Sequence, residues 1–136
     1  MYKIETDKFI LDLSPEIYKQ DQSYPVNVNL GVKVFSYGFS AEIFMEVGVK
    51  EIAEFSDEIM NLYNTLTGVA RLEEPYGFHN YIEFIAQKGG HIKVKGRLNN
   101  ACAYGYEQEI NFENEIDQTC IRNFSNQLFS NFSKYI

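Results

Sequence analysis

Apolar and polar residues alternate over two neighbouring stretches of the chain, residues 26–34 and 39–47. This period of two is typical of β-strands with one buried face. The intervening Ser36-Tyr37-Gly38 breaks the alternation and predicts a hairpin. Shorter extended runs precede it over residues 2–13, and the Pro-containing polar stretch 14–25 predicts a loop.

The spacing of apolar residues then changes to that of a helix. One stripe of an amphipathic helix is formed by Ile52, Phe55, Ile59, Leu62, Tyr63 and Leu66. Gly68 is placed to end this helix in the left-handed conformation. A second helix is predicted after Asp117, a good N-cap residue. Its apolar face consists of Ile121, Phe124, Leu128, Phe132 and Tyr135.

Between the two helices, four further strands are predicted over residues 69–72, 78–87, 91–98 and 104–112. Lys88-Gly89-Gly90 supplies a turn between the second and third of them. Strands and helices do not alternate regularly and the strands are joined by short turns. The pattern therefore predicts an α+β fold, with a mainly antiparallel β-sheet of about six to seven strands and two amphipathic helices packed on it. At 136 residues, the chain fits a single domain spanning 1–136.

Composition and charge reduce the number of function classes that the chain can belong to. Hydrophobic residues make up 45% of the chain, which disfavours disorder, and the net charge is −7. An acidic balance disfavours nucleic-acid and membrane partners and favours a basic protein partner. Glu5 and Asp7 interrupt any apolar leader, and no apolar stretch is long enough for a membrane helix, so a cytoplasmic location is expected. Cys102 and Cys120 are expected to be free thiols.

A basic stripe occupies one face of the predicted strand 91–98: His91, Lys93, Lys95 and Arg97. The following strand carries an acidic stripe with Glu107, Glu109 and Glu113. If these strands are antiparallel neighbours, the two stripes form cross-strand ion pairs. The basic stripe is therefore interpreted as structural rather than as a phosphate site.

The acidic segment 42–58 is less balanced, with Lys50 as its one base. Its acids form either a solvated helix face or a patch that attracts a basic partner. Phe44 lies between two acids on the outward side of its strand, where it either anchors a partner or is covered by a helix. The candidate partner-binding residues are Glu42, Phe44, Glu46, Glu51, Glu54 and Glu58.

Residue patterns for catalysis are scarce. His79 and His91 both fall within strand patterns and lack a second ligand at zinc spacing. There is no Cys-x-x-Cys, no Gly-rich phosphate loop after a strand and no Gly-x-Ser-x-Gly elbow. We therefore expect no enzymatic activity, no cofactor and no metal.

Four short motifs in the second half of the chain point to a known family. They are Leu66-Thr67-Gly68-Val69-Ala70-Arg71-Leu72, the Gly-flanked strand from Gly90 to Leu98, Ile110-Asn111-Phe112-Glu113, and Asp117-Gln118-Thr119. In this order they resemble the WapI-type immunity proteins of bacterial polymorphic toxin systems, from about Phe39 to the C-terminus. That family commonly carries a bulky apolar or aromatic residue after the last motif, where this chain has Cys120.

The resemblance implies a non-enzymatic cytosolic protein that binds the C-terminal toxin domain of a secreted or surface effector, often a nuclease, as in contact-dependent growth inhibition. Its acidic surface would cover the toxin's basic cleft. The alternative is a small-molecule-binding or regulatory domain whose pocket is lined by Tyr81, Phe84, Tyr104 and Tyr106. A homo-oligomer formed through the strand 26–34 is conceivable, although no pattern supports it.

Overall fold

The first half of the molecule is an antiparallel meander. The computed structural model describes residues 1–18, 25–101 and 104–136. The first sheet contains β1 (Tyr2–Glu5), β2 (Phe9–Ile17), β3 (Val28–Ser36) and β4 (Phe39–Val47), adjacent in that order. The predicted hairpin is confirmed. Its turn residues Tyr37 and Gly38 both have positive φ, 49° and 90°, as in the two-residue turns that match strand twist.

The second half is another antiparallel sheet, reached through helix α1 (Val49–Thr65). It contains β5 (Val69–Glu73), β6 (Tyr81–Ala86), β7 (His91–Ala101) and β8 (Glu107–Asp117), again adjacent in order. Helix α2 (Arg122–Phe132) follows the short 3-10 helix Gln118–Ile121. The α+β class is confirmed, and the described residues form eight strands in two sheets rather than six to seven strands in one.

Both sheets and both helices share one hydrophobic core. Phe9 of β2 and Phe112 of β8 bring the two sheets together, with ring centroids 5.9 Å apart. Phe84 of β6 lies 5.9 Å from Phe55 of α1 and 5.8 Å from Phe124 of α2. The helices therefore pack on the inner face of the second sheet, as their apolar stripes predicted.

Side-chain acceptors cap the start of α1 and of the 3-10 helix that precedes α2. Asp117 Oδ1 accepts a hydrogen bond from the Thr119 N–H at 3.1 Å, which confirms its predicted capping role. Helix α1 has no such group of its own, because its N-cap residue is Gly48. Buried Asn27 replaces it, with Oδ1 accepting from the Val49 N–H at 2.8 Å. This cap comes from the residue before β3, far along the chain, so local sequence did not indicate it.

The end of α1 differs from the prediction. Leu66, rather than Gly68, is the left-handed residue that terminates the helix, with φ 57°. Its N–H donates to the Leu62 carbonyl at 2.8 Å and closes the last turn. Gly68 also has positive φ, but it lies in the connection to β5.

Strand β2 continues where a loop was predicted, through Pro15 to Ile17. Proline has no N–H and is tolerated where a strand lacks a neighbour. Strand β1 pairs only with residues 10–13 of β2, so at Pro15 that side of β2 has no partner strand among the described residues. Residues 19–24 of the predicted loop, and Cys102, lie outside the described residues.

Two predicted strands begin later than expected. Strand β6 starts at Tyr81, because His79 has a left-handed backbone, φ 55°, and so lies outside the strand. Strand β8 starts at Glu107, after Gly105 with φ 82°. The stretch 26–34 cannot pair two copies, because β3 is bordered by β2 and β4. In the described part of the chain, no helix is both long and apolar enough to span a membrane.

Candidate functional site

Three of the predicted contact residues, Glu42, Phe44 and Glu46, lie on the outward face of β4, an edge strand. Because side chains alternate along a strand, these three share one face while Ile43 and Met45 enter the core. The Phe44 side chain is 64% exposed. The alternative in which a helix covers this ring is therefore wrong.

Phe44 lies directly opposite Gly31 of β3. A Cβ built on Gly31 would be 3.5 Å from Phe44 Cε1, so the ring lies over the glycine. This contact supports one edge of the ring and leaves most of its surface open. An exposed aromatic ring held over the backbone has little side-chain entropy left to lose on binding.

The two acids beside Phe44 have different surroundings. Glu42 is opposite Lys33, and the carboxylate lies 4.0 Å from the ammonium, with both side chains well exposed. Exposed pairs of this kind contribute little to stability. Glu46 is also exposed, and its N–H donates to Glu74 Oε2 at 3.0 Å. The Glu42 and Glu46 carboxylates are thus left largely to solvent.

The other three predicted residues, Glu51, Glu54 and Glu58, lie on α1 and line a depression of about 300 Å³ with β5. They share a face, as predicted, but that face borders β5 rather than lying opposite the apolar stripe. Leu72 and Arg71 of β5 form part of the same depression. The simple picture of a fully solvated helix face is therefore incomplete.

Glu58 is tied to the main chain of the edge strand β5. Its Oε1 accepts from the Arg71 N–H at 3.3 Å. Burial raises the pKa of Glu58 above its ordinary 4.5, the Arg71 N–H lowers it in part, and neighbouring Glu54 and Asp57 raise it again. The carboxylate thus accepts a hydrogen bond from an N–H that would otherwise be unpaired at the edge of the sheet.

Glu51 plays a similar role at the start of α1. Its pKa is raised by burial, lowered in part by a hydrogen bond from the Gly48 N–H, and raised by Glu54. Reaching back from the third helical position to the N-cap N–H is half of a capping box. Glu54 is exposed, whereas Glu51 is half-buried.

The predicted site residues on β4 and those on α1 border the same segment, residues 71–74. Glu58 of α1 binds the Arg71 N–H, and Glu74 binds the N–H of Glu46 on β4. Buried Glu74 therefore joins the edge of the first sheet to the loop after β5. No sequence pattern indicated this role of Glu74, because the role depends on how the two sheets meet.

The basic stripe of β7 is compensated by acids of its neighbours. Arg71, Glu83, Lys95 and Glu113 lie opposite one another across β5, β6, β7 and β8, in alternating sign. Arg71 pairs with Glu83 at 2.8 Å. Lys93 bonds Glu113 at 2.9 Å and lowers the pKa of that carboxyl. The structural interpretation is confirmed for Lys93 and Lys95, which pair with Glu113 and Glu83. Arg97 instead lies opposite Asn111, and Glu107 and Glu109 face no cation across the ladder.

The alternative aromatic pocket does not form. Phe84 is in the core, whereas Tyr81 lies on the opposite face of β6, beneath the Arg71 guanidinium at 3.9 Å. Tyr104 and Tyr106 are exposed and precede β8. Within residues 1–18, 25–101 and 104–136, no three His, Cys, Asp or Glu side chains are grouped as a metal site would require.

The molecule is thus an α+β protein whose candidate site is an exposed aromatic ring and acids on an edge strand, rather than an enclosed cleft. The chain belongs to the WapI-like immunity proteins: the model described as "Immunity protein WapI-like family" matches residues 3–135. Membership implies binding to a protein toxin and its neutralisation. No curated protein and no solved structure matches the chain.

Proposed function

We propose that this chain is a non-enzymatic immunity protein that acts in the cytoplasm by occluding the C-terminal domain of a cognate polymorphic toxin. Besides the family, one observation carries the proposal: Phe44 is exposed on an edge strand between two exposed acids. Buried aromatic anchors within a charged rim are characteristic of strong protein interfaces. We expect this ring to enter an apolar depression on the surface of the cognate toxin.

The charge distribution supports a nuclease as the toxin. The chain carries a net charge of −7, and the alternating ladder on the second sheet balances its own charges. Glu42, Glu46 and Glu54 are left as exposed acids near one another in the chain. Enzymes that act on RNA or DNA bind phosphates with lysine and arginine. An acidic protein that covers such a cleft accelerates encounter and excludes the nucleic acid.

Co-expression tests the function directly. The cognate toxin domain, sought in the reading frame next to this gene, would be induced in cells with and without this chain. We expect growth to be restored, and the nuclease activity of the purified toxin domain to be abolished at one equivalent of the chain. Continued killing, with both proteins expressed and folded, would refute the proposed function.

A matched pair of charge reversals tests the site. Glu42→Lys is expected to lower toxin affinity by roughly tenfold, because it replaces an attraction with a repulsion. Glu115→Lys is the control. Glu42 and Glu115 lie outward on edge strands opposite a lysine, and their side chains are 65% and 64% exposed. Equal losses of affinity would indicate long-range charge alone and would remove Glu42 from the site.

Truncation of the aromatic ring is the complementary test. Phe44→Ala is expected to weaken binding by tenfold or more, on the order of a hot-spot residue. The comparison is Tyr106→Ala, because Tyr106 is similarly exposed, at 69% against 64%, but lies in the second sheet's β7–β8 connection. Calorimetric titration of both variants with the toxin domain measures the difference, and an unaffected Phe44→Ala variant would contradict the anchor.

A further inference from the structure

Strand β4 presents unpaired main-chain groups at the edge of the first sheet. Main-chain groups of alternate residues in a strand point in the same direction. The Glu46 N–H points away from β3, since it binds Glu74, whereas the Val47 carbonyl accepts from the Asn27 N–H on the β3 side. The N–H and C=O groups of Ser40, Glu42 and Phe44 therefore also point away from β3. Within the described ranges they have no partner strand.

Two of the other three edge strands, β1 and β5, are better protected. Strand β1 has only four residues, and Tyr2 contacts α2 through Phe132 and Asn131. Strand β5 is bordered by α1, with Glu58 binding the Arg71 N–H. The described residues protect the β4 edge only at its end, by the Glu74 bond. Proteins usually blunt long open edges with proline, lysine or a bulge, and β4 has none of these.

A groove runs along this open part of β4. It has a volume of about 360 Å³ and lies between β4 and the ends of β7 and β8. Its apolar lining is formed by Phe39, Ala41, Ile43, Leu98 and Ile110. The rim carries Glu42 on one side and Glu109 on the other. The groove thus offers main-chain partners, apolar surface and negative charge side by side.

We infer that an extended segment of the toxin adds to β4 as a fifth strand of the first sheet, with apolar residues alternating with lysine or arginine. This inference rests on the proposed function and specifies how its partner binds. Successive side chains of an added strand point to opposite faces. One set would enter the apolar groove, and the other would lie beside Glu42 and Phe44 on the outward face. Main-chain pairing supplies affinity, and the alternate side chains supply specificity.

Charge favours this occupant over a second copy of the chain. Two copies would each bring a net charge of −7 and would place the acids of both β4 strands close together. A basic segment instead neutralises Glu42 and Glu109. Pairing of two copies through β4 is accordingly an outcome that would overturn the inference.

Proline substitution separates main-chain from side-chain binding. Ser40→Pro removes an N–H that points away from β3 and leaves the β3–β4 hydrogen bonds in place. Ser40→Ala removes the hydroxyl and keeps that N–H. We expect Ser40→Pro to lower toxin affinity by roughly tenfold, and Ser40→Ala by less than about threefold. Calorimetric titration with the purified toxin domain measures both affinities. The same comparison is repeated with Glu42→Pro and Glu42→Ala, because Glu42 is the next residue of β4 whose N–H points away from β3.

Hydrogen exchange on the unaltered chain keeps the inference testable if a proline variant unfolds. Toxin binding should slow exchange at the Ser40, Glu42 and Phe44 amides by tenfold or more, with a smaller effect at Ile43 and Met45, which already face β3. Unchanged exchange, equal affinities of the proline and alanine variants, or a dimer of the free chain in sedimentation would each overturn strand addition. If the unaltered toxin is bound and neutralised in those cases, the proposed function stands. If the unaltered chain does not bind the toxin, both are refuted.

Discussion

Gly31 and Gly96 each lie opposite a phenylalanine of the adjacent strand, but the space around them differs. A Cβ at Gly96 would be 2.7 Å from the Phe112 ring and 2.7 Å from the Tyr81 carbonyl oxygen. At Gly31 the nearest atoms would be 3.5 Å away, in ordinary contact. Gly96 is therefore required by close packing, whereas Gly31 mainly provides a flat surface beneath Phe44.

The same substitution is expected to change the free energy of unfolding much more at Gly96 than at Gly31. Gly96→Ala should lower the free energy of unfolding by about 1–3 kcal/mol, because ring and backbone must both shift. Gly31→Ala should change it by less than about 0.5 kcal/mol. Urea unfolding measures both values. A loss at Gly31 as large as that at Gly96 would contradict this account of the packing.

Asn27 is a second residue whose side chain the fold specifically requires. Asn27→Ala removes the acceptor of the Val49 N–H at the start of α1 and should cost about 1–2 kcal/mol. Asn61→Ala, at an exposed position on the same helix, is the control and should have little effect. The comparison uses thermal or urea unfolding. Equal stabilities of the two variants would show that the remote cap is unnecessary.

At the level of elements, periodicity predicted most of the fold. The β3–β4 hairpin and the apolar faces of both helices follow from local repeats of two and 3.6 residues. The division into two sheets does not, because it depends on contacts such as Phe9 with Phe112, over a hundred residues apart. The continuation of β2 through Pro15 is likewise set by where β1 stops pairing.

The candidate site, too, could be predicted from the sequence only in part. Alternation along β4 was sufficient to predict that Glu42 and Phe44 face outward. Whether a helix covers Phe44 could not be decided from the sequence and required the structure. The binding of Glu58 to the Arg71 N–H could not be predicted, since it requires the docking of α1 against β5. The Glu74 bond to Glu46 was missed for the same reason. Sequence thus identifies outward-facing residues, and the packed elements decide which acids remain available.

The docking of α1 against β5 has a consequence for pH dependence. The pKa of Glu58 is raised in the folded protein, so the folded state binds its proton more readily than the unfolded state does. The contribution of this group to stability is therefore largest below the ordinary pKa of 4.5 and declines as the pH rises through the raised value. Glu58→Gln keeps an oxygen acceptor for the Arg71 N–H and removes the charge.

We accordingly expect Glu58→Gln to be as stable as the unaltered chain at low pH and relatively more stable above the raised pKa. Glu107→Gln, at an exposed position on β8 with no cation opposite it, is the control for removing one negative charge. The measurement is the free energy of unfolding of each protein across this pH range. If Glu58→Gln loses stability relative to the unaltered chain as the pH rises, the ionised carboxylate stabilises the fold and this account of Glu58 is wrong.

At the level of the whole molecule, charge is distributed unevenly. The central ladder on the outer face of the second sheet pairs charges of alternating sign. Exposed acids without such a ladder remain on β4 and α1, and Glu107 and Glu109 remain on β8. The chain is thus acidic overall, with net charge −7, and the exposed acids of β4 lie beside an exposed aromatic ring and an open strand edge. This arrangement suits a protein that captures a basic partner by charge and holds it by apolar and main-chain contacts.

The most direct test of this account is calorimetric titration of the purified chain with its cognate toxin domain. It would be performed at about 0.1 M and about 1 M salt, between which the Debye length falls from roughly 10 Å to 3 Å. We predict a complex of one chain with one toxin domain whose affinity falls at the higher salt but is not abolished. Absence of binding by the folded proteins at the lower salt would contradict the central claim that this protein neutralises a toxin by occlusion.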